Sequence, residues 1–458
     1  MKKIFPVIII SIVLSLSGCV YTLTPSAPDE YTQAPDETDI QNTDAGSTAE
    51  NGPDDDGGLT TSEFSVSGND AAQNEPEEPE PVLPQTVTIL GEETDVSLTS
   101  LDLSGMTPED VESVAEALTQ MQDLAEVNLM DEEGLTQLSL SDVARLKESA
   151  PDTHFIYEFD FYGQTVSTSD AEVIRERVAI GNDGEENVRN ALTILDRCEY
   201  FLLDDCGIDD EVMDSIRSDY PDTKVVWRIH VGTRSALTDD QVIRMTHGIN
   251  DSMTGPLKYC HEVVYMDLGH DAGITDISFI EMPLLECIIL SDAKMTDISP
   301  LANCPNLTWV ELVYCDRLGD ITPITGLESV KYINISYSGI RDITPLYDMN
   351  LDRLCLISIG VSDEQLEEYR ESHPDTLAIN SGNPYGYAWR YNDYGYHFFW
   401  YYARMREAFR YDQGSPGGFK LPDEWINYPP EEETDDAANS EDASDADDAE
   451  NDSDAEEP

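Results

Sequence analysis

The chain has 458 residues, with 25 Lys+Arg against 94 Asp+Glu and a formal net charge of −69. A surface this acidic repels phosphate backbones, which excludes nucleic acid as a partner, and an anionic membrane offers it no electrostatic attraction. The hydrophobic fraction of 40% is low, so part of the chain is expected not to pack.

Residues 1–18 read as a signal peptide. Lys2 and Lys3 precede an apolar run from Ile4 to Leu16, too short to span a bilayer but suited to a signal core. The run ends in Leu16-Ser17-Gly18-Cys19, which resembles the bacterial lipobox. The resemblance implies cleavage before Cys19 and a diacylglyceryl group on its sulfur. Such an anchor holds a protein stably outside the cytoplasm when more than one acyl chain is present. The plainer alternative is a chance cysteine after an ordinary signal.

Residues 20–85 contain 16 acidic residues and no Lys or Arg. Too little apolar surface is available there to offset ordering entropy, so 19–85 is expected to be a lipidated cysteine followed by a disordered acidic tether. The tail 429–458 repeats the theme with 15 acids and no bases. It lacks the turn glycine and fixed spacing of a calcium loop and reads as solvated chain. The remainder, 86–428, still carries a net charge of −40.

Self-similarity organises this middle region. The phrases ITDISFI, MTDISPL, LGDITPI and IRDITPL place Asp276, Asp297, Asp320 and Asp342 at intervals of 21, 23 and 22 residues. Ahead of each lies an apolar pattern at positions 1, 4 and 6, as in Val263-Met266-Leu268, Leu285-Ile288-Leu290, Leu307-Val310-Leu312 and Val330-Ile333-Ile335, with Leu351-Leu354-Leu356 following. This is the L-x-x-L-x-L signature of leucine-rich repeats, with Ala293, Cys315 or Ser338 at the ninth position. Period-two alternation buries positions 4 and 6 and turns 3, 5 and 7 to the opposite face. Upstream the same frame continues at wider spacing, with position 4 at Leu101, Val127, Tyr157, Phe201 and Trp227 and helical patterns between. TPEDVESVAEAL (107–118) predicts a helix with Thr107 as N-cap and Pro108 in its first turn. The expected fold over 86–384 is therefore an α/β leucine-rich-repeat solenoid. It has one curved parallel sheet, α-helices on the convex side in the first half, and short turns or 3₁₀ segments in the second.

The chain resembles leucine-rich-repeat surface lipoproteins of clostridial type, through DDCGIDDEVMDSIRSDYPDTKVVWRIHVG (204–232), and internalin-type repeats in its second half, through the four D-I-[ST] phrases. The resemblance covers roughly 96–380. It implies a surface location and a recognition role, and it transfers no binding residue.

Little points to catalysis. Of the seven cysteines besides Cys19, Cys198, Cys206 and Cys315 occupy small inward slots, Cys260 and Cys304 lie in equivalent turns, and Cys287 and Cys355 fall at positions 3 and 5. No C-x-x-C occurs, so unpaired thiols are expected and neither metal nor cofactor is implied. The seven histidines are scattered, and no nucleophile elbow, phosphate loop or zinc-protease motif appears; an enzyme is not expected.

The concave strip is the more informative surface. Positions 3, 5 and 7 hold Tyr265, Asp267, Ile289, Trp309, Glu311, Val313, Tyr332, Asn334 and Arg353, an aromatic and apolar file edged by charge. Such composition is enriched at interfaces, and these nine residues are the expected partner-binding set. Aromatics also favour strands in their own right, and a covering loop or C-terminal segment would explain them equally. Residues 385–411 hold 13 aromatics in 27 positions. A cap over 385–428, closing the open core of the last repeat, is expected there, with glycan stacking as the alternative. The sequence reading is thus a lipid-anchored surface protein that recognises a protein or peptide, with a basic partner favoured by charge. The other reading is an envelope protein that binds glycan or cell wall through its C-terminal aromatics.

Overall fold

A computed structural model describes residues 86–386, 388–392, 397–422 and 425. The signal peptide, Cys19, the acidic tether and the acidic tail all lie outside the described residues.

The described chain opens with an antiparallel hairpin, β1 (Thr86–Ile89) and β2 (Glu92–Asp95). The first repeats follow as β3 (Ser100–Asp102), α1 (Val111–Leu118), β4 (Glu126–Asn128), α2 (Leu140–Ser149) and β5 (His154–Ile156). Before α1, the Thr107 backbone N–H and hydroxyl both donate to Asp110 Oδ2, at 3.0 and 2.7 Å, and Pro108 occupies the first turn. A 3₁₀ turn at Pro108–Asp110 runs on into α1, so the helical stretch starts where the sequence placed it. A hairpin, β6 (Glu158–Asp160) with β7 (Thr165–Ser167), separates β5 from β8 (Glu172–Glu176). Then come α3 (Glu185–Ile194), β9 (Tyr200–Asp204), α4 (Asp210–Asp219), β10 (Lys224–Val231) and β11 (Arg234–Leu237).

The second half starts at β12 (Val242–Arg244), with the short α5 (Asp251–Thr254) behind it. It continues as β13 (Tyr265–Asp267), β14 (Cys287–Ile289), β15 (Trp309–Glu311), β16 (Tyr332–Asn334) and β17 (Arg353–Cys355). On the opposite side run 3₁₀ segments at Ser299–Asn303, Thr322–Ile324 and Thr344–Asp348. The last repeat adds α6 (Asp363–Ser372) and β18 (Leu377–Ile379); α7 (Trp400–Phe409) and β19 (Gly417–Phe419) complete the described elements. The contrast between helices in the first half and 3₁₀ turns in the second follows repeat length. A spacing near 22 residues leaves room for one tight turn, and longer units accommodate two or three turns of α-helix.

Two expectations need correction. The rungs do not form one ribbon. They divide into a three-stranded sheet β3-β4-β5, a four-stranded sheet β11-β10-β9-β8 and an eight-stranded sheet from β18 through β12 to β19. The rung frame also slips by two residues at two places. Phe155, not Tyr157, pairs with Val127, and Val225, not Trp227, pairs with Phe201. Both slips precede a hairpin that carries the chain off the ladder before the next rung, Val173 or Ile243, begins a new sheet. The two hairpins are alike in detail. Thr168 and Thr238 donate from their backbone N–H groups to the Tyr157 and Trp227 carbonyls, and Asp170 and Asp240 accept from the Ser167 and Leu237 N–H groups. The wide gaps seen in the sequence are therefore a duplicated strand-hairpin-strand unit whose last strand was not recognised.

In the second half the rungs are in register along the whole row, from Ile243 through Met266, Ile288, Val310, Ile333 and Leu354 to Ala378. Each strand leaves the sheet through a residue at position 8 with positive φ: His247, His270, Asp292, Tyr314, Tyr337 and Ser358, between 55° and 71°. Non-glycine residues pay for this conformation. Here the N–H of each residue from His270 to Tyr337 donates to the next repeat's position-7 carbonyl, as His270 does to Ser291 at 2.7 Å, so the ladder extends past the strand. The recurrent aspartates serve the opposite corner. Oδ1 of Asp276, Asp297, Asp320 and Asp342 accepts the N–H two residues on, at 2.8 to 2.9 Å, before the turn.

The seven described cysteines are all free and buried. Burial pushes the thiols of Cys198, Cys304 and Cys355 up to about 11 and that of Cys315 to about 12. Thiolate populations at neutral pH are then negligible. Native protein at pH 8 is expected to leave these seven thiols unlabelled by iodoacetamide, with all seven reacting in guanidinium. Mass spectrometry of native and denatured samples checks this; rapid native labelling would contradict the packing described.

Candidate functional site: the covered concave face and its pocket

The concave face of the eight-stranded sheet is not open. Of the nine residues expected to bind a partner, Tyr265, Asp267, Ile289, Trp309, Glu311, Val313, Tyr332 and Asn334 are buried, and Arg353 is half-buried. The described residues of the chain's own C-terminal segment, between Pro384 and Leu421, lie across them. The expected cap is likewise displaced. α6 closes the last repeat through Leu366 and Tyr369, which join the main core, and the aromatic segment runs back along the face toward β12. There β19 adds to the sheet antiparallel to β12, with Phe419 opposite Val242.

The physical cause is the composition of the strip itself. Tyr265, Trp309 and Tyr332 present large apolar rings on one face, and water is a poor neighbour for that area. Trp309 packs against Trp389, Tyr401 and Tyr402 with ring centroids 4.4, 5.6 and 6.2 Å away. Tyr332 meets Phe399 and Tyr401 at 5.1 and 5.2 Å, and Tyr265 meets Phe409 at 6.0 Å. With Met405, Ala408 and Cys287 these rings form a second core, separate from the interior of the repeats. Of the C-terminal aromatics that glycan stacking would use, Tyr387, Trp389 and Trp400, Trp389 is fully buried in this core and Trp400 is half-buried beside it, while Tyr387 lies outside the described residues.

Polar side chains of the face read the main chain of the segment. Arg244 Nη1 lies 2.8 to 3.1 Å from the carbonyls of Phe409, Arg410, Gln413 and Gly414, which share its two N–H hydrogens; the cation sits at the C-terminus of α7 where the helix dipole favours it. Arg353 Nη1 donates to the Ala388 carbonyl at 2.9 Å and its guanidinium lies 3.6 Å from the Phe399 ring centroid. Asn334 Nδ2 donates to the Pro384 carbonyl at 2.8 Å. Charges are matched as well. Glu311, wholly buried, accepts from Arg390 Nη2 at 2.7 Å and from the Trp389 indole at 3.0 Å. Burial opposes the Arg390 charge, yet Glu311 holds its pKa above the ordinary arginine value. Asp267 accepts from the Gly269 N–H and the Tyr411 hydroxyl at 2.9 and 3.0 Å, and burial raises its pKa despite these bonds.

Segment and sheet do not fill the face completely. A hollow of about 380 Å³ remains between β12–β15 and the segment. Arg244, Asp267, Gly269, Ser291 and Glu311 line it from the sheet, and Tyr385, Arg390, Tyr402 and Tyr411 from the segment. His247 and His270, exposed and stacked 4.9 Å apart, border it. Sequence reasoning found Asp267, Ile289 and Glu311 but missed Arg244, Tyr385, Arg390 and Tyr411. One signal was available: residues 384–421 carry five Lys+Arg against three Asp+Glu in an otherwise acidic chain.

Among the described residues no group of His, Cys, Asp and Glu could hold a metal ion, and no helix is long and apolar enough to cross a membrane. No family model matches the chain, and no curated protein matches its sequence. Solved structures similar to it include an internalin (inlF) from Listeria monocytogenes, 14% identical over 60% of this chain and 76% of that one, at a TM-score of 0.27. Internalin C2 from the same species is 16% identical over 61% and 92% of the two chains, at 0.24. A leucine-rich-repeat protein of Leptospira interrogans is 11% identical over 57% and 74%, at 0.24. Overlap this slight adds no weight; the leucine-rich-repeat arrangement rests on the register of this chain's own rungs.

Two outcomes follow. Trp309→Ala removes the centre of the second core and is expected to destabilise the protein by about 3–5 kcal/mol in urea unfolding, a structural loss and not only a binding one. The second concerns pH. Asp240, on the turn that receives β19, has its pKa raised to about 6, by burial first and further by Asp239, against the Leu237 N–H, Lys420 and Arg228. A raised carboxyl pKa stabilises the fold below the unfolded value and loses that contribution as pH climbs through the folded one. The melting temperature is therefore expected to rise from pH 7.5 to 5, with Asp240→Asn flattening the rise. A scan in which the variant and parent keep parallel profiles would refute the assignment.

Proposed function

We propose that this chain is an extracytoplasmic recognition protein, anchored by lipid on Cys19, that binds a protein or peptide through the concave face of a leucine-rich-repeat scaffold; its role is binding, not catalysis. One observation carries the reading. The face already grips a peptide segment, its own, through arginines and an asparagine aimed at main-chain carbonyls and through pockets for aromatic rings. That is how a groove holds a peptide: main-chain bonds give affinity and side-chain pockets give selectivity.

The resident segment also indicates the chemistry of an external partner. It is rich in arginine and aromatic residues, and it sits on a scaffold of opposite charge. The negative field favours basic partners and speeds their encounter at low salt. A rigid sheet loses little freedom on binding, which leaves more of the contact energy for affinity. In this reading residues 384–421 are the resident occupant, and a partner segment of like chemistry competes for the same face. Glycan stacking on the segment's own rings has less support, because Trp389, Tyr401 and Tyr402 are turned into the face.

The test loosens the occupant without touching the groove. In a Trp389→Ala/Arg390→Ala variant, Cys287 and Cys355, which lie under the segment, are expected to become reactive toward iodoacetamide while the main core stays folded. A labelled synthetic peptide of residues 384–421 should then bind the variant in fluorescence anisotropy, weakening with added salt, and fail to bind the parent. If the two thiols become reactive and the peptide still does not bind, the segment is a fixed structural cover and the recognition reading falls.

A further inference from the structure

We propose that the hollow between β12–β15 and the C-terminal segment is a binding site for a neutral saccharide, taking one sugar ring, either free or at the end of a glycan. The inference does not depend on the peptide reading above. It concerns what the closed face leaves empty.

Its size lies at the small end of the range for ligand sites, at about 380 Å³. The hollow exists because of two small residues at position 7 of adjacent repeats, Gly269 and Ser291, where Val313 follows in the next. A side chain on Gly269 would project among Asp267 Oδ1, the Ile289 methyl and Ser291, 3.0, 3.5 and 3.9 Å from its Cβ.

The chemistry of the walls selects the ligand. Every formal charge lining the hollow from the two arginines and two acids is already engaged: Glu311 by Arg390 and Trp389, Asp267 by Tyr411 and Gly269, and Arg244 by four carbonyls. What remains is uncharged hydrogen-bonding capacity. Arg390 Nε and Arg244 Nε are buried without partners, and the buried Ser291 and Tyr385 hydroxyls have no partner beyond each other. Ser291 and Tyr385 lie close enough for one hydroxyl to bond the other, which still leaves each oxygen with open hydrogen-bonding capacity. Leaving such groups unpaired costs roughly 1–3 kcal/mol each. Two hydroxyls that both give and accept, and two N–H donors, fit a ring bearing several hydroxyl groups. An anion would meet Asp267 and Glu311, and a cation would meet Arg244 and Arg390; a neutral polyol meets neither penalty. The tyrosine walls suit the apolar faces of a sugar ring.

The experiment uses the full chain. Glucose, galactose, N-acetylglucosamine and neutral disaccharides of each are titrated by saturation-transfer NMR and calorimetry, alongside inorganic phosphate and arginine. At least one neutral sugar is expected to bind with a Kd of about 10 mM or tighter. Ser291→Ala and Tyr385→Phe should each weaken that binding about tenfold, the loss of one hydrogen bond to a buried partner, with melting temperature little changed. Gly269→Val should abolish it by filling the hollow. The proposal is overturned if no neutral sugar binds at about 10 mM, if both hydroxyl variants bind as the parent does, or if phosphate or arginine binds in preference.

Discussion

An aromatic strip along one face of a parallel sheet cannot be left to water, and the second half of this protein is organised around that constraint. Tyr265, Trp309 and Tyr332 are positioned by in-register rungs, so their rings fall in a continuous file. The segment that covers them brings its own rings and its own charges. Burial of Glu311 and Asp267 would be prohibitive without Arg390, Trp389 and Tyr411 in place. Apolar closure and charge pairing therefore form one cooperative unit, since neither persists without the other.

The division of the rungs into three sheets has an equally local origin. After β5 and again after β10 a hairpin interrupts the parallel ladder, and the next rung starts afresh. The repetition of the same threonine and aspartate contacts in both hairpins marks them as copies of one unit. The second of these hairpins has a further role. Its turn aspartate, Asp240, and the neighbouring Asp239 receive β19 through Lys420, whose ammonium donates to the Asp239 carbonyl and pairs with its carboxylate. The interruption of the ladder thus supplies the place where the covering segment is fastened.

Cover and pocket share their walls. Arg390 pairs with Glu311, lies 4.6 Å from the Tyr385 ring and 4.8 Å from the Tyr402 ring, and lines the hollow. Any ligand bridging the sheet and the segment would stabilise the closed arrangement by mass action, and any competitor for the face would dismantle the pocket. Recognition of a peptide and retention of a small ligand would then oppose one another, with the acidic field of the scaffold biasing both toward partners that carry no negative charge.

How much was legible in the chain itself varies with the distance over which residues act. Positions 4 and 6 of each short repeat, the Asp276, Asp297, Asp320 and Asp342 turns, the Thr107 helix start and the inward slots of Cys198, Cys206 and Cys315 follow from periodicity and from contacts a few residues apart, and these were readable. Val173 and Ile243 were not recognised as rungs, because the hairpins before them hide the interval on which the repeat is counted. Trp309 and Glu311 were correctly placed on the concave side, but alternation in a strand says only which face a side chain occupies. Whether that face meets water depends on where residues some 80 positions later come to rest, as Arg390 does against Glu311. Contacts of that range leave no period in a sequence, so tertiary packing alone turned an expected binding surface into a buried core with a polar hollow beside it.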